Sequence, residues 1–326
     1  MSVEIPEPVP SFSAEDEKWM RVAIERAARG NPSPNPHVGA VVVKGGEIVG
    51  MGHHERAGED HAEVAALRDA GDRARGATLY VTLEPCAHQG RTPPCTDAVL
   101  AAGVARVVVG ARDPNPVAAG GIEKLRAAGV DVELLDDERA LRQNEAWRTW
   151  KSLGRPFVTY KVAVTLDGRV AVPGRRWVTG EESRRLVHEL RAASDAVAVG
   201  MGTVRADDPQ LDARDVGAQH QPRRLAFGRG PLPAGSKLEL HSGPLDEELR
   251  VLAGEGVQSL LLEGGPTLAT AFLAAGLVDK LLVFVAPVLG GDGPFFVGEL
   301  ASPVQLSRLA VRAVGQDVLL EGSLVR

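Results

Sequence analysis

The segment His61-Ala62-Glu63, followed by Pro85-Cys86 and by Pro94-Cys95, constrains this chain more than any other feature. It supplies one histidine, two cysteines and one acid. Zinc held by three protein groups keeps a fourth position open for water and lowers the pKa of that water to about 7. A glutamate two residues from a ligand can then move protons. The pattern predicts a catalytic zinc site with ligands His61, Cys86 and Cys95 and with Glu63 as the proton shuttle.

The alternative is a structural zinc site, or two buried cysteines beside a surface histidine. A single cysteine would decide nothing, since cysteine is often buried as a small hydrophobic residue. This chain has only two cysteines, both in the motif, and a closed structural site would need a fourth ligand. Nucleobase deaminases that use zinc combine H-x-E with a later P-C pair in the same way. These facts favour catalysis.

The residues around two of the ligands predict helices that begin at the ligands. After His61, the apolar residues with the spacing of one helix face are Val64, Ala65 and Leu67. After Cys95, residues 96–102 predict a helix that is closed by Gly103. The positive end of a helix dipole favours a thiolate, which is the form of cysteine that binds zinc.

Composition limits the possible functions. With 326 residues the chain is long enough for two domains, and its 44% hydrophobic and 25% charged residues are typical of a globular protein. It has no apolar run of the roughly 20 residues that span a bilayer, and its first ten residues lack the features of a signal peptide. We therefore expect a cytoplasmic protein with no membrane partner. The net charge of -6 argues against a nucleic-acid partner.

The first half predicts a sheet covered by helices. Residues 1–12 are expected to be a disordered tail, and a zinc-dependent domain is expected over residues 13–150. The predicted helices span residues 14–29, 95–102, 120–128 and 136–151, in addition to the helix that follows His61. The predicted strands span residues 38–44, 47–50, 77–82, 104–110 and 130–134, and Gly45-Gly46 joins the first two as a tight hairpin.

The second half, residues 155–326, predicts a further α/β domain. Strands are expected at residues 157–164, 195–199 and 259–262, and helices at residues 180–193 and from the turn Glu263-Gly264-Gly265 through Ala275. A strand, a glycine turn and a helix N-terminus form a natural phosphate cradle. Such turns are also common in ordinary loops, so this pattern alone leaves a ligand role open.

Longer segments resemble a known family. TLEPCAHQGRTPPC, SPNPHVGAVVV and GHHERAGEDHAEVAAL resemble the deaminase half of the bifunctional deaminase-reductases of riboflavin biosynthesis. Eight residues separate the two cysteines, where most zinc deaminases have two. KVAVTLDGRVA, WVTG, RADDPQL and LLLEGGPTLATAFLAAGLVDKLLVFVAPVLGG resemble the reductase half. The resemblance implies a cytidine-deaminase-like α/β/α sandwich and a dihydrofolate-reductase-like α/β domain.

The same resemblance implies two reactions with zinc and NADPH as cofactors. The first removes ammonia from a diamino-ribosylamino-pyrimidinone 5′-phosphate, and the second reduces the ribosyl group of the product to ribityl. The family also implies a homo-oligomer. Because the nicotinamide supplies the hydride, the reductase half is expected mainly to orient cofactor and sugar.

The resemblance also implies which residues bind the deaminase substrate. Asn35, His54, His88 and Asp113 match positions that hold the base and sugar, and Arg91 matches a position suited to phosphate. An asparagine amide both donates and accepts, and arginine offers a planar fork of donors. Asn35 and Asp113 are both followed by proline, so turn formation is the alternative interpretation. His54 is chosen over its neighbour His53 from the alignment of GHHERAG.

In the reductase half, the residues that match cofactor contacts are Trp177, Thr203, Asp207, Gly265, Pro266, Thr267, Leu268, Ala269, Thr270 and Ala271. Those that match substrate contacts are Arg191, Leu211, Arg214 and Glu263. The two arginines suit a ribose phosphate. A solvated surface position is the alternative for each of them, since that is where most arginines lie.

Three departures from the family pattern support an alternative function. Leu225-Ala226-Phe227-Gly228 stands where a strand ending in Asp-Ser is expected, residues 233–263 form a shorter segment than usual, and Arg175-Arg176 replaces a typical serine before Trp177. A shortened loop is thermodynamically cheap, but it removes part of the adenosine side of the cofactor site. The alternative is a deaminase whose C-terminal half serves only for binding or oligomerisation. The net charge of -6 and the eight residues between the two cysteines argue against a nucleic-acid or free-nucleoside deaminase.

Overall fold

The computed structural model describes residues 13–90 and 92–325. The chain divides into two units, with the boundary between Ser152 and Leu153. The predicted tail, residues 1–12, lies outside the described residues. In the described part of the chain, no helix is long and apolar enough to cross a membrane.

The first unit contains a five-stranded sheet in the order β2-β1-β3-β4-β5, in which β3, β4 and β5 are parallel and the β1 pairings are antiparallel. Its strands are β1 (Gly39–Lys44), β2 (Glu47–His53), β3 (Thr78–Val81), β4 (Arg106–Val109) and β5 (Asp131–Leu134). Its helices are α1 (Ala14–Ala27), α2 (Ala62–Ala70), α3 (Cys95–Ala102), α4 (Gly121–Ala127), α5 (Glu138–Gln143) and α6 (Glu145–Leu153).

Both faces of this sheet are covered. In β1, Ala40 and Val42 pack with residues of α2, α3 and α4, whereas Val41 and Val43 pack with residues of α1. Strands buried on both faces carry continuous apolar runs, as Ala40 to Val43 do. The unit is therefore the α/β/α sandwich expected from the sequence.

One local prediction for this unit is correct and one is wrong. The predicted hairpin turn places Gly45 and Gly46 at positive φ. Ser13 caps α1 through a reciprocal capping box with Asp16. The single helix predicted over residues 136–151 is instead two helices, α5 and α6, which are separated at Asn144. The buried Asn144 amide accepts from His37 N and donates to His37 O, both at 2.8 Å, and this pairing holds the break.

Helix α2 lies directly on strand β2, with a buried face that matches the predicted one only at Leu67. Ala62, Ala66 and Ala70 are buried, whereas Val64 and Ala65 are only partly buried. The reason is the pair of glycines in β2. A Cβ on Gly50 would lie 2.4 Å from Ala66 O, and one on Gly52 would lie 2.3 Å from Ala62 O. The small residues face the strand because only they permit this close approach.

The second unit contains an eight-stranded sheet in the order β12-β13-β11-β6-β10-β7-β8-β9, parallel from β11 through β9 and antiparallel at β12 and β13. Its strands are β6 (Phe157–Thr165), β7 (Ala196–Gly200), β8 (Arg223–Phe227), β9 (Glu239–His241), β10 (Ser259–Leu262), β11 (Lys280–Ala286), β12 (Leu306–Val314) and β13 (Asp317–Leu324). Its helices are α7 (Glu181–Ala192), α8 (Met201–Asp207), α9 (Leu245–Gly254) and α10 (Pro266–Ala274).

The segment suspected of being too short is fully organised. Leu225, Ala226 and Phe227 are buried in β8, and the chain then forms β9 and α9 before it reaches β10. Leu249 and Leu252 of α9 are fully buried in the main core of the unit. The shorter sequence therefore still contains the strand and the helix that complete this side of the sheet.

Candidate functional site

The three predicted zinc ligands lie together in the first unit. His61 is the N-cap residue of α2, Cys95 is the first residue of α3, and Cys86 lies in the loop after β3. One ligand atom from each lies within 4.8 Å of the other two. His61 Nδ1 is 3.1 Å from Cys95 Sγ and 3.6 Å from Cys86 Sγ. The side chains thus converge on one point, as the sequence predicted.

The chemistry of these donors fits zinc. One imidazole nitrogen and two sulfurs are typical ligands of a catalytic zinc site with an open position. A hydrogen bond from Cys95 and another from His61 lower the pKa of Cys86 to about 4, although burial acts in the opposite direction. The hydrogen bond with Cys86 also raises the pKa of His61. Negative charge on sulfur in a buried site favours a bound cation.

Glu63 lies in the first turn of α2 with only 3% of its surface exposed. Burial raises the pKa of its carboxyl group, because a carboxylate loses its hydration there, and the nearby His61 charge partly opposes this effect. A carboxyl group with a raised pKa accepts a proton more readily than an ordinary carboxylate and can return it in a later step. This position suits the predicted proton shuttle.

A cavity of about 350 Å³ opens beside these residues, and all of its lining belongs to the first unit. The predicted residues in its lining are Asn35, His54, His61, Glu63, Cys86, His88 and Asp113. The lining residues that the sequence analysis missed include Glu84, Trp147, Trp150 and Lys151. The last three are on α6, and no sequence pattern linked that helix to the motif. Arg91 lies outside the described residues.

His54 and Asn35 form a hydrogen-bonded pair at the cavity. His54 Nδ1 is 3.0 Å from Asp60 O, and His54 Nε2 is 3.0 Å from Asn35 Nδ2. A carbonyl oxygen only accepts, so Nδ1 carries the proton and Nε2 accepts from the Asn35 amide. Burial lowers the pKa of His54 and favours this neutral form. His53 instead contacts Glu55. His54 is thus the member of the histidine pair that lines the cavity.

Asn35 and Asp113 both form turns and line the cavity, so the two interpretations of these residues hold together. Asn35 N donates to Pro32 O at 2.9 Å, and Asp113 Oδ1 accepts from Asn115 N at 2.7 Å, so both residues do stabilise turns. Burial raises the pKa of Asp113 to about 6, and the charge of Glu84 adds to the effect. Both side chains nevertheless line the cavity.

In the second unit, Glu263 follows β10 and pairs with two cations. Its carboxylate accepts from Arg191 Nε at 2.6 Å and from Arg191 Nη2 at 3.0 Å, and Lys161 Nζ lies 3.5 Å away. The Arg191 side chain is only 14% exposed, so the surface alternative is wrong for this residue. Lys161 was missed, although a lysine in the otherwise apolar strand β6 was a visible signal.

The other two predicted substrate residues lie near this cluster. Arg191 Nη1 donates to Asp212 O at 3.1 Å, and Arg214 Nη1 donates to Asp212 Oδ1 at 2.6 Å, so both arginines meet at Asp212. Arg214 is half-exposed. Leu211 is buried and has a positive φ of 51°. Its side chain therefore packs in the core.

Two of the predicted cofactor segments follow the carboxyl ends of the neighbouring strands β7 and β10. Thr203 is in α8, directly after β7, and Gly265 is the N-cap of α10, directly after β10. A Cβ on Gly265 would lie 3.5 Å from Thr203 Oγ1, so the two segments are adjacent. Asp207 ends α8 and is exposed. Trp177 is half-exposed, with Arg176 and Arg184 over its ring.

The predicted stretch from Gly265 to Ala271 is only partly accessible. Pro266 and Thr267 begin α10, and Leu268 contacts Gly200 and Gly264. Ala269 is fully buried, and Thr270 Oγ1 donates to Pro266 O and accepts from Gly298 N. The beginning of this stretch is available to a ligand, whereas Ala269 packs in the core.

Each half of the chain matches the family that its sequence resembles. Residues 13–111 match the cytidine and deoxycytidylate deaminase zinc-binding region, and residues 156–320 match the RibD C-terminal domain. The riboflavin biosynthesis protein RibD of Aquifex aeolicus is 41% identical, with 94% of this chain and 97% of that protein covered.

Solved structures give the same result. RibD of Acinetobacter baumannii is 38% identical, with a TM-score of 0.84 and coverage of 96% of this chain and 99% of that chain. A diaminohydroxyphosphoribosylaminopyrimidine deaminase/5-amino-6-(5-phosphoribosylamino)uracil reductase of Thermotoga maritima is 33% identical, with a TM-score of 0.82 and coverage of 95% and 99%.

The zinc-binding sandwich and the second α/β unit together define a bifunctional deaminase and reductase. The chain belongs to the RibD family of riboflavin biosynthesis proteins. The resemblance found in the sequence is thus confirmed, as is the fold class expected for each half. Because both domains of the family are present, the bifunctional interpretation is preferred to a deaminase with a merely binding C-terminal half.

Proposed function

We propose that this chain deaminates a diaminohydroxyphosphoribosylaminopyrimidine and then reduces the resulting 5-amino-6-(5-phosphoribosylamino)uracil with NADPH. The observation that carries the proposal is the buried Glu63 beside His61, Cys86 and Cys95 at a cavity large enough for a small molecule. Similarity over nearly the whole length of a deaminase/reductase supports the same pair of substrates.

Hydrolytic deamination replaces the amino group of the pyrimidine by oxygen from water and releases ammonia. His61, Cys86 and Cys95 would hold the zinc ion, which would supply an activated water molecule when bound. Glu63 would accept a proton from water and deliver it to the departing nitrogen. The raised pKa of Glu63 suits both transfers, and its burial excludes bulk solvent from the proton.

The cavity residues orient the base. The Asn35 amide donates one N–H to His54, which leaves its carbonyl oxygen and its other N–H for a pyrimidine edge. His88 and Asp113 face the same cavity and complete the polar lining. Arg91, which lies between Cys86 and Cys95 in the sequence, is the proposed contact for the substrate phosphate.

For the reduction, the nicotinamide of NADPH supplies the hydride, and the protein orients it against the sugar. Thr203, Asp207, Trp177 and the turn from Gly265 to Thr267 are the proposed cofactor contacts. The absence of side chains at Gly264 and Gly265 lets a phosphate approach the backbone N–H groups that begin α10. Arg191, Arg214 and Glu263 are the proposed substrate contacts, and Lys161 joins them because it contacts Glu263.

We also propose that the protein acts in the cytoplasm as a homo-oligomer. Strand β12 forms an edge of the larger sheet and exposes Leu309 and Val311. Val318 of the neighbouring strand β13 is also exposed. Apolar residues on an exposed edge favour association.

The cytoplasmic location is supported by the two cysteines, because thiolates in a zinc site suit a reducing compartment.

Glu63→Gln tests the proposed deaminase. The variant keeps the size of the side chain but cannot accept a proton, so ammonia release should fall by about 10²- to 10⁴-fold. Zinc content and NADPH oxidation with the deaminated intermediate should stay unchanged, because both depend on other residues. The exposed Glu25 on α1 provides a matched control, Glu25→Gln. Substantial ammonia release by the zinc-loaded Glu63 variant would refute the shuttle role.

A further inference from the structure

Glu84 is a buried acid to which the deamination chemistry gives no role. It lies two residues before Cys86, and only 4% of its surface is exposed. Its carboxylate accepts three backbone hydrogen bonds. Oε1 accepts from Gly120 N at 2.9 Å and from Ile122 N at 3.2 Å, and Oε2 accepts from Asp113 N at 3.1 Å. Both oxygens are thus used by one loop and the helix that follows it.

That loop, residues 110–120, joins β4 to α4, and the loop and the first residue of α4 rest on residues 84–87. Glu84 N donates to Ala111 O at 2.9 Å, and Ala87 N donates to Ala118 O at 3.1 Å. A Cβ on Gly121 would lie 1.8 Å from Pro85 O, so the contact is too close for any side chain there. The loop is therefore held along its length against the segment that carries Cys86.

The same loop carries part of the cavity lining. Asp113, Asn115 and Ala118 all face the cavity. Asn115 N donates to Asp113 Oδ1 at 2.7 Å, so these two residues form one hydrogen-bonded turn. The bonds from Gly120 and Ile122 alone would make Glu84 an ordinary cap for the start of α4. The third bond goes beyond a cap, because it fixes the backbone of Asp113.

We propose that Glu84 is a positioning residue for deamination, which fixes Asp113 at the correct place relative to the zinc ligands. A carboxylate only accepts hydrogen bonds, so it matches three N–H donors, whereas an amide does not. This inference rests on the proposed role of Asp113 in binding the base. It connects the zinc-ligand segment and the substrate-binding loop through one buried side chain.

Glu84→Gln tests this proposal. The amide oxygen can still accept from Gly120 and Ile122, but the amide N–H group then faces the N–H group of Asp113. Loss of a charge-assisted hydrogen bond should lower kcat/KM for deamination by about 10- to 100-fold, mostly through a higher KM. Zinc content and NADPH oxidation with the deaminated intermediate should be unchanged. Glu25→Gln removes an exposed carboxylate from α1, away from the loop, and should leave deamination unchanged.

The decisive measurement combines Glu84→Gln with Asp113→Ala. If Glu84 acts through Asp113, the double variant should have a kcat/KM within about 3-fold of that of Asp113→Ala alone. The reason is that the effects of coupled residues do not add. Fully multiplicative losses would overturn the proposal, and so would loss of zinc from the Glu84 variant. If Glu84→Gln folds poorly, Glu84→Asp should restore folding and part of the activity, and failure of that rescue would also count against the proposal.

The same data separate this proposal from the proposed function. If Asp113→Ala deaminates normally, the role assigned to Asp113 is wrong, and the positioning proposal fails with it. If Asp113→Ala is impaired but Glu84→Gln is not, only the positioning proposal fails. A loss of ammonia release in Glu63→Gln is independent of both results.

Discussion

Gly52→Ala tests whether the zinc site depends on the close contact between α2 and β2. An added Cβ would lie 2.3 Å from Ala62 O and 2.4 Å from Ala66 N. These are backbone atoms of the helix, so no flexible side chain can yield. Ala62 stands between His61 and Glu63, so any movement of this turn displaces both the proposed zinc ligand and the proposed proton shuttle.

The size of the effect follows from the distances. Ordinary contact begins at 3.4 Å, so the turn must move by about 1 Å. Overpacking of this kind costs about 1–3 kcal/mol of unfolding free energy. A 1 Å misplacement of catalytic groups costs about 10²-fold in rate. We therefore expect about 100-fold slower ammonia release and a lower unfolding temperature for the first unit.

The assay measures ammonia release, zinc content and NADPH oxidation with the deaminated intermediate in the same preparation. NADPH oxidation should be unchanged because the substitution lies in the first unit. Gly254→Ala is the matched control, since no atom lies within 4 Å of the added Cβ there. Normal deamination and zinc binding by Gly52→Ala would refute the argument that this contact sets the position of the site.

Three further predictions concern pH and metal. Burial acts to raise the pKa of Asp16, but hydrogen bonds from Arg106, Ser13 and Tyr80 lower it to about 2. Asp16→Asn should therefore lower the unfolding free energy by about 2 kcal/mol at pH 7. This difference should shrink as the pH falls through about 4 towards 2, and denaturant titrations from pH 7 to 2 measure it. A constant difference over that range would contradict the prediction. Because burial raises the pKa of Asp113 to about 6, kcat/KM for deamination should fall as the pH decreases through 6, and Asp113→Asn should abolish that acidic limb; an identical limb in the variant would assign it to another group. Removal of zinc by a chelator should stop ammonia release but leave NADPH oxidation with the supplied intermediate, because all three ligands lie in the first unit; loss of both activities would show that the second unit depends on the metal.

Features that depend on local sequence were predictable. H-x-E and the two P-C pairs predicted that His61, Cys86 and Cys95 lie together. Gly103 ends α3 in the left-handed conformation, as its position in the sequence indicates. The hairpin at Gly45 and Gly46 also follows from residue type. In each case a few adjacent residues determine the geometry.

Features that depend on distant residues were not predictable. The break between α5 and α6 results from a hydrogen-bonded pair 107 residues apart, Asn144 and His37, whereas the local sequence favours one helix. The buried face of α2 is decided by Gly50 and Gly52 in another element. Glu84 appears in the sequence only as part of the cysteine motif, and its bonds to the loop after β4 become visible only in the fold.

Helix α6 follows the rest of the first unit in the chain, and this order matters during synthesis of the protein. All five strands of the first sheet and all three zinc ligands precede residue 135 in the chain. Trp147 nevertheless belongs to the buried core, and it also lines the cavity. At about 5–20 residues per second, the sheet strands and the proposed metal ligands are therefore synthesised about one to a few seconds before α6. The cavity of the first unit can be completed only after α6 has been translated, where the second unit begins.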